Sequence, residues 1–365
     1  MRNTYIIVFG LIGMIIVAAA VSTLFFNAKV SGLPLQNGTA NYSTLSNLRN
    51  YGPAPNLQGI SGWINTGPIN ISQLRGKVVV VDFWTYSCIN CIRSIPHLNA
   101  WYNEYGGSNG LVIIGVSTPE FQFEHNYSNV YNAVQRFGIR YPVALDNNYS
   151  TWDAYGNEYW PADYIIDKNG DIRYVTYGEG NYNTTEQVIR ELLLNAGYGV
   201  PNYTTNVPLG ANFSGIGTPE IYLGWETARA PIGNKQGFVN NSTVNYTLPA
   251  QMQNNTVYLS GKWYDAPDSI IAVNNSKIFL TYKAEKLNVV AGTYGANSST
   301  VTVYLDRAGL NNTDAGSDIR LINGTGTANI RSYRLYNLVS AQSYGWRTIE
   351  IDASPGFRIY TFTFG

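Results

Sequence analysis

The first half of the chain carries two short, uninterrupted apolar runs with a helix-like stretch between them. Val78–Phe83 and Leu111–Val116 are apolar at almost every position, which is typical of strands buried on both faces of a parallel sheet. Between the runs, apolar and aromatic residues recur every three or four positions, at Ile92, Ile95, Leu98, Tyr102 and Tyr105. Gly106 and Gly107 then predict the end of the helix. The pattern therefore predicts a strand, a helix and a second, parallel strand.

A similar pattern continues as far as residue 197. It predicts a second helix at Val130–Phe137 and a short strand at Pro142–Leu145. Two further apolar segments, Asp163–Ile166 and Ile172–Tyr177, flank the turn sequence Asp167-Lys-Asn-Gly170. Strands on both sides of such a turn predict a β-hairpin.

The last helix of this half is predicted at Val188–Asn195. Thr184 and Gln187 precede it with the spacing of a capping box, in which side chains bond the free backbone N–H groups of a helix start. A β-α-β unit followed by a hairpin and a helix is the arrangement of thioredoxin-like α/β domains. We therefore predict a thioredoxin-like domain at residues 53–197.

The helical period is lost beyond a second polar segment, a predicted linker at residues 198–217. Short apolar segments alternate there with turns rich in Gly, Asn and Ser, which is typical of an all-β fold. The predicted strands are Lys277–Tyr282, Leu287–Val290, Thr300–Leu305, Ile319–Ile322, Tyr333–Leu338, Trp346–Ile351 and Phe357–Phe364. We predict that residues 218–365 form a β-sandwich of the jelly-roll type.

The start of the chain is apolar over a length that suits a membrane span. No charge lies between residues 5 and 26, a run of about 22 residues where a spanning helix needs about 20. Arg2 precedes the run, and the positive-inside tendency then places residues 1–4 in the cytoplasm and both domains outside it. A cleaved signal peptide is the alternative, since residues 18–20 are small, but its apolar core is usually about 7–15 residues long. We therefore expect a retained anchor at 5–26 and a polar linker at 27–52.

Composition agrees with an exported protein and excludes some functional classes. Charged residues make up 13% of the chain and the formal net charge is zero, so neither a nucleic-acid-binding surface nor an acidic tail is expected. About sixteen Asn-x-Ser/Thr sequons together favour a glycosylated surface protein, although each alone is weak. Examples are Asn37, Asn70, Asn148, Asn212, Asn274 and Asn323.

The only two cysteines of the 365-residue chain form the sequence Cys88-Ile-Asn-Cys91. They follow a predicted strand and begin a predicted helix, which is the context of a redox-active C-x-x-C motif. Free N–H groups and the dipole at a helix start stabilise a thiolate, so we predict that Cys88 attacks a substrate disulfide. Cys91, one turn deeper, would resolve the mixed disulfide. The reversible Cys88–Cys91 disulfide is then the redox group, and no further cofactor is expected.

Asp82 lies inside an apolar strand, where burial makes a carboxylate costly and raises its pKa. Such a group suits proton transfer with Cys91, and a local capping or pairing role is the alternative. Glu120 and Glu124 are four residues apart in a loop, where they either flank the active site or are solvated.

A zinc site is the alternative reading of the two cysteines. Zinc takes four ligands, and the sequence offers only His97 and His125 as further nitrogen or sulfur ligands. His97 is expected on the helix as a packing or surface residue, and His125 lies in a polar loop. We therefore expect no metal.

The segment Asp82-Phe-Trp-Thr-Tyr-Ser-Cys-Ile-Asn-Cys91 resembles the active-site segment of DipZ proteins, thioredoxin-like relatives of the TlpA group, in their extracytoplasmic part. The resemblance covers nearly everything from residue 55 onward. It continues through Gly115-Val-Ser-Thr-Pro-Glu120, Ala144-Leu-Asp-Asn-Asn-Tyr149, Tyr159-Trp-Pro-Ala-Asp-Tyr164, Thr218-Pro-Glu-Ile-Tyr-Leu-Gly224 and Tyr360-Thr-Phe-Thr-Phe-Gly365.

This resemblance implies further properties. Pro161 is implied to be a cis-proline that faces the cysteines, and the C-terminal domain to be similar to carbohydrate-binding modules. DipZ proteins usually carry a CcdA-like electron-transfer domain of several membrane helices, whereas a single anchor is predicted here. The resemblance therefore implies a separate CcdA-like membrane protein as the electron-transfer partner.

Several tryptophans are candidates for binding surfaces. Trp84 and Trp160 are expected to line the substrate groove on either side of the thiols, with core packing as the alternative. In the C-terminal domain, Trp225, Trp263 and Trp346 would form a glycan-stacking platform, or else belong to an ordinary core of a domain that packs on the redox domain.

The leading functional hypothesis is a membrane-anchored, extracytoplasmic thiol–disulfide oxidoreductase that acts on thiols or disulfides of exported proteins. Ile89-Asn90 does not indicate a strong oxidant, and the resemblance favours a reductase or exchange protein. One alternative is a thiol peroxidase, because Thr85 precedes Cys88 as in peroxiredoxins, although Val81 replaces their usual proline. The other is a glycan-binding surface protein with a vestigial redox fold.

Overall fold

The computed structural model describes residues 48–208 and 217–365, which belong to one compact unit. The predicted membrane anchor at 5–26, residues 27–47 of the first predicted linker and residues 209–216 of the second lie outside the described residues. Among the residues that are described, no helix is long and apolar enough to cross a membrane.

The first region is an α/β fold built on a six-stranded sheet. Its strands are β1 (Gly62–Ile64), β2 (Val78–Trp84), β3 (Leu111–Ser117), β4 (Val143–Leu145), β5 (Ala162–Ile166) and β6 (Ile172–Tyr177). Its helices are α1 (Ile89–Tyr105), α2 (Tyr127–Arg136), α3 (Ser150–Ala154) and α4 (Tyr182–Asn195), with short 3-10 helices at Ile71–Leu74, Gly107–Asn109 and Gln122–His125.

The strand order is β1-β4-β3-β2-β5-β6, with β2, β3 and β4 parallel and the others antiparallel to their neighbours. The apolar runs form central strands because both of their faces are buried. Val80 and Trp84 belong to the core beneath α1, whereas Val81 and Phe83 belong to the core on the opposite face. The predicted strands and the helix between them are therefore confirmed.

The predicted capping box is wrong. α4 begins at Tyr182, so Thr184 and Gln187 lie within its first two turns and do not precede it. The residue before the helix is Asn181 in the left-handed conformation (φ 53°), which asparagine tolerates better than most residues. The helix starts early because Tyr182 is buried and its ring stacks on His97, with 3.6 Å between ring centroids.

The second region is all-β, as predicted, with thirteen strands in one hydrogen-bonded sheet. They are β7 (Ile221–Tyr222), β8 (Ser242–Tyr246), β9 (Val257–Asp265), β10 (Ile270–Ala272), β11 (Ser276–Lys283), β12 (Lys286–Thr293), β13 (Ser299–Leu305), β14 (Ala308–Gly309), β15 (Arg320–Ile322), β16 (Thr325–Ile330), β17 (Arg334–Ser340), β18 (Trp346–Ala353) and β19 (Phe357–Phe364). The main order is β15-β16-β13-β18-β11-β9-β10-β19-β12-β17.

β9 joins the two halves of this sheet, and the hydrophobic pattern did not predict it. Its first residues pair with β11, and its last residues pair with β8 and β10. The change occurs at Gly261, which has φ 87° and where a Cβ would lie 2.7 Å from the Oγ of Ser276. A glycine is needed at this bend, and it interrupts the alternation by which strands are recognised. β7, β8, β10, β14 and β16 were also not predicted.

The two regions share a core. Phe121 of the first region packs against Tyr360 of β19, with ring centroids 5.1 Å apart, and Phe123 stacks on Tyr333 at 5.3 Å. Tyr222 also joins the apolar cluster beneath α1. The C-terminal region is therefore packed directly on the α/β region.

Candidate active site

Cys88 is the residue that precedes and caps α1. Its backbone is extended (φ −74°, ψ 119°), and its Sγ accepts a hydrogen bond from the backbone N–H of Cys91 at 3.2 Å. The first N–H groups of a helix have no partner within the helix and carry the positive end of its dipole. Negative charge on the Cys88 sulfur is stabilised there, which is what an attacking thiolate requires.

The two cysteines differ in exposure. Both are free thiols, and Cys88 is half-buried whereas Cys91 is completely buried. Burial is the main cause that raises the pKa of Cys91 well above the usual thiol value, followed by the adjacent Cys88. Cys88 is thus the accessible sulfur, and Cys91 needs a base before it can act.

Asp82 lies in β2 and is buried on the face that carries α1. Burial, followed by the charge of Asp163, raises the pKa of Asp82 well above that of an ordinary aspartate. Asp163 is its direct partner in the β2–β5 pair, and burial raises the pKa of Asp163 to about 7. We did not single out Asp163 from the sequence, although a carboxylate in an apolar strand two residues after Pro161 was a usable signal.

The segment before β5 forms one side of the site. The Trp160–Pro161 peptide bond is cis. Trp160 is half-buried, lies beside Cys88 in a cleft, and donates its indole N–H to the carbonyl of Thr118 at 3.1 Å. The expectation for Trp84 is wrong, because this side chain is completely buried and does not line the cleft. Trp84 lies on the same face of β2 as Val80, and it therefore points into the core beneath α1.

The cleft at Cys88 has a volume of about 240 Å³ and takes its walls from both regions. The α/β region contributes Cys88, Glu120 and Trp160, and the all-β region contributes Glu220, Tyr222 and Arg229. The cleft that opens at Cys88 is therefore bounded by the C-terminal region as well.

Comparisons with known proteins agree with this geometry. A family model described as the AhpC/TSA family matches residues 52–175, and one described as "Thioredoxin like C-terminal domain" matches residues 218–365. Protein DipZ of Mycobacterium tuberculosis is 38% identical over 327 residues, which is 87% of this chain and 44% of that protein. Over most of its length the chain is therefore similar to DipZ proteins. It spans less than half the length of the DipZ proteins that it matches.

Two shorter relatives are named for the chemistry of this site. Thiol-disulfide oxidoreductase YkuV of Bacillus subtilis is 28% identical over 39% of this chain and 94% of its own length. Thiol-disulfide oxidoreductase ResA of Halalkalibacterium halodurans is 32% identical over 34% of this chain and 65% of its own length. The α/β region of this chain is accordingly similar to thiol–disulfide oxidoreductases.

A buried polar network joins this domain to the C-terminal region. Glu124 accepts hydrogen bonds from the hydroxyl of Ser87 at 2.5 Å and from the backbone N–H groups of Glu120 and Phe121 at 2.6 and 3.0 Å. The Tyr222 hydroxyl donates to the carboxylate of Glu120 at 2.5 Å. Burial, and then the charge of Glu124, raises the pKa of Glu120 to about 8. Both glutamates thus flank the cysteines, and neither is a freely solvated loop residue.

The two histidines lie apart from the thiols' chemistry. His97 is buried in α1 and stacks on Tyr182, and burial lowers its pKa. His125 is placed at the end of a 3-10 helix, with its Nδ1 near the carbonyl of Gln122 at 3.2 Å. In residues 48–208 and 217–365, no group of three or more His, Cys, Asp or Glu side chains is arranged to hold a metal ion.

The Tyr222→Phe variant tests whether this network stabilises the contact between the regions. We expect the free energy of unfolding to fall by about 1–2 kcal/mol, because the partly buried Glu120 carboxyl group loses its donor. Urea denaturation measures the change. Tyr203→Phe is the matched control, since the exposed Tyr203 hydroxyl donates to the Glu104 carboxylate at 3.0 Å and its loss should change stability little. Equal effects of the two substitutions would contradict the prediction.

Proposed function

We propose that this chain is a membrane-anchored, extracytoplasmic protein that reduces disulfides of exported proteins. The observation that carries the proposal is the unequal exposure of the two thiols, with Cys88 in a cleft at the start of α1 and Cys91 buried behind it. An accessible thiolate followed by a buried resolving thiol is the arrangement that stepwise disulfide exchange requires.

The reaction proceeds through a mixed disulfide. The Cys88 thiolate attacks one sulfur of a substrate disulfide, the substrate S–S bond breaks, and the second substrate sulfur leaves as a thiolate. Cys91 then loses its proton and attacks the Cys88 sulfur, which forms the Cys88–Cys91 disulfide and releases the first substrate sulfur. The substrate gains two electrons and the cysteine pair loses two.

Each cycle leaves the cysteine pair oxidised, so an electron donor must restore both thiols. We place that role in a separate CcdA-like membrane protein. The apolar residues 5–26 support a membrane location, and the similarity to DipZ over 87% of this chain supports a donor of this class.

Reduction of the interchain disulfides of insulin tests the proposed activity. We expect the reduced chain to precipitate the insulin B chain catalytically, and a variant with both cysteines changed to alanine to do nothing. The reduction potential of the Cys88–Cys91 pair decides the direction, and we expect a value nearer to about −270 mV than to about −120 mV. A reduction potential near about −120 mV would identify an oxidase instead.

A thiol peroxidase is the second candidate, favoured by the AhpC/TSA family match at residues 52–175 and by Thr85 close to Cys88. The Thr85 hydroxyl is buried, however, and does not line the cleft at Cys88. If Cys88 reacts with hydrogen peroxide in a single turnover at a higher rate than with insulin, the result would favour this candidate.

For the C-terminal region we propose a β-sandwich of the jelly-roll type, supported by the change of partners along β9 and by one core that both halves of the sheet share. Because residues of the C-terminal region line the cleft at Cys88, we propose that this region forms one wall of the substrate site. Of the three tryptophans of the expected glycan platform, Trp263 is completely buried and cannot take part, whereas Trp225 is half-buried and Trp346 is 48% exposed.

A further inference from the structure

Two buried carboxyl groups lie against each other beneath the cysteines. Asp82 and Asp163 are register partners of the antiparallel β2–β5 pair, and such partners carry their side chains on one face with Cβ atoms about 4.5–5.5 Å apart. Val80 and Ile165, which lie two residues away along each strand, belong to the same core cluster as Cys91. Both carboxyl groups therefore face the side of the sheet on which α1 packs, and they are 1% and 9% exposed.

This pair lacks the groups that would stabilise two negative charges. Both oxygens of Asp82 and the Oδ1 of Asp163 are buried without a hydrogen-bond donor. Across the described residues, neither carboxyl group forms an ion pair with lysine, arginine or histidine. Two adjacent carboxylates cannot both be charged in such surroundings without a large cost.

The strand on the other side of Asp82 offers no compensating charge. The partner of Asp82 in β3 is Gly115, and a Cβ there would lie 2.8 Å from the Nε1 of Trp84 and 3.1 Å from a ring carbon of Tyr141. A cationic side chain does not fit at that position. A proton held between the two carboxyl groups is then the donor that the buried oxygens lack.

The other titratable groups that face the pair are neutral or acidic. They are Cys91 from α1, Tyr141 from the segment before β4, Tyr174 from β6 and Tyr182 from α4. None of them supplies the positive charge that would stabilise a second carboxylate in the pair. The raised pKa values of both aspartates agree with this geometry.

We propose that Asp82 and Asp163 share one proton, and that Asp163 is a positioning residue that keeps Asp82 able to take the proton of the Cys91 thiol. This inference rests on the proposed exchange reaction. In the resolving step the Cys91 proton moves to the pair, the Cys91 thiolate attacks the Cys88 sulfur, and the substrate sulfur leaves with the electron pair of the broken bond. The departing thiolate takes up a proton from the pair or from water.

Stopped-flow reaction of the reduced full chain with an aromatic disulfide tests this role, because the attack of Cys88 and the resolution by Cys91 release two thiolates in separate phases. We expect Asp163→Asn to leave the rate constant of the first phase unchanged. The rate constant of the second phase should be about tenfold lower on its high-pH plateau, and the midpoint of its pH profile should move down by about one pH unit or more. The asparagine amide donates permanently to Asp82 and makes it a weaker base. Asp82→Asn should slow the second phase further, and Asp163→Glu should retain most of the pH profile.

Asp265→Asn is the control, since this buried carboxyl group lies in β9 and bonds the Tyr246 hydroxyl at 2.5 Å. The rate of the second phase in the Asp265→Asn variant should match that of the wild type. Titration of chain carrying ¹³Cγ-labelled aspartate gives an independent reading without substitution: the pair should titrate in two separated steps. Ordinary aspartate titration of both groups, or a second phase in Asp163→Asn that matches the wild type, would overturn the inference. Absence of both phases in the wild type would instead overturn the proposed function.

Discussion

The Cys91→Ser variant is expected to accumulate a covalent mixed disulfide with a protein substrate, whereas the Cys88→Ser variant forms none. Cys88 borders the cleft and Cys91 is completely buried, so only the first can reach a substrate sulfur. Without the Cys91 thiol, the mixed disulfide has no internal group to resolve it. Each variant should lose turnover by about a thousandfold or more, because both thiols act in one reaction sequence.

Non-reducing electrophoresis of the variants mixed with an oxidised protein substrate measures the adduct, and mass spectrometry locates it. Cys88→Ala controls for residual reactivity of the serine hydroxyl. An adduct on Cys91 in the Cys88→Ser variant would contradict the assigned order of attack.

Replacing either aspartate of the buried pair by asparagine is expected to stabilise the fold at neutral and alkaline pH. The pKa of Asp163 rises from about 4 in the unfolded chain to about 7 in the fold, and burial followed by the charge of Asp163 also raises the pKa of Asp82 well above its ordinary value. The folded state therefore binds more protons than the unfolded state between these pH values. Stability from this pair is fully present below about pH 4 and is lost as the pH rises through 7.

We expect Asp163→Asn to raise the free energy of unfolding by roughly 2–4 kcal/mol at pH 8 and by much less at pH 4.5, because an asparagine carries no charge to bury. Urea denaturation at the two pH values measures the difference. Glu120 and Glu124 contribute a pH dependence of the same sign, so the comparison is between variant and wild type at each pH. Equal gains at both pH values would show that the effect is packing and not proton binding.

The local pattern of the chain was enough to predict the redox centre. An apolar run, a C-x-x-C motif and a helix-spaced stretch follow one another directly, so β2, the cap at Cys88 and α1 each have a local signal in the sequence. The central strand β3 followed from its continuous apolar run for the same reason. α4 was predicted to start too late, because its first turn depends on a stack of Tyr182 on His97, which lies in a different helix.

The wall of the cleft was not predictable in this way. Glu220, Tyr222 and Arg229 lie more than a hundred residues from Cys88, and no periodicity connects them to it. β9 was missed because Gly261 and polar residues interrupt its alternation, and a bend between two halves of a sheet is set by the partners on either side.

The amino-acid sequence by itself determined that this protein has one pair of thiols at a helix start, because a reactive C-x-x-C needs only a strand, a turn and a helix that are contiguous in the chain. Tertiary structure alone decided what surrounds those thiols. Strand pairing placed Asp163 against Asp82, and packing of the two regions placed Tyr222 on Glu120. Such contacts join residues that are distant along the chain, and only the closing of the fold brings their charges together.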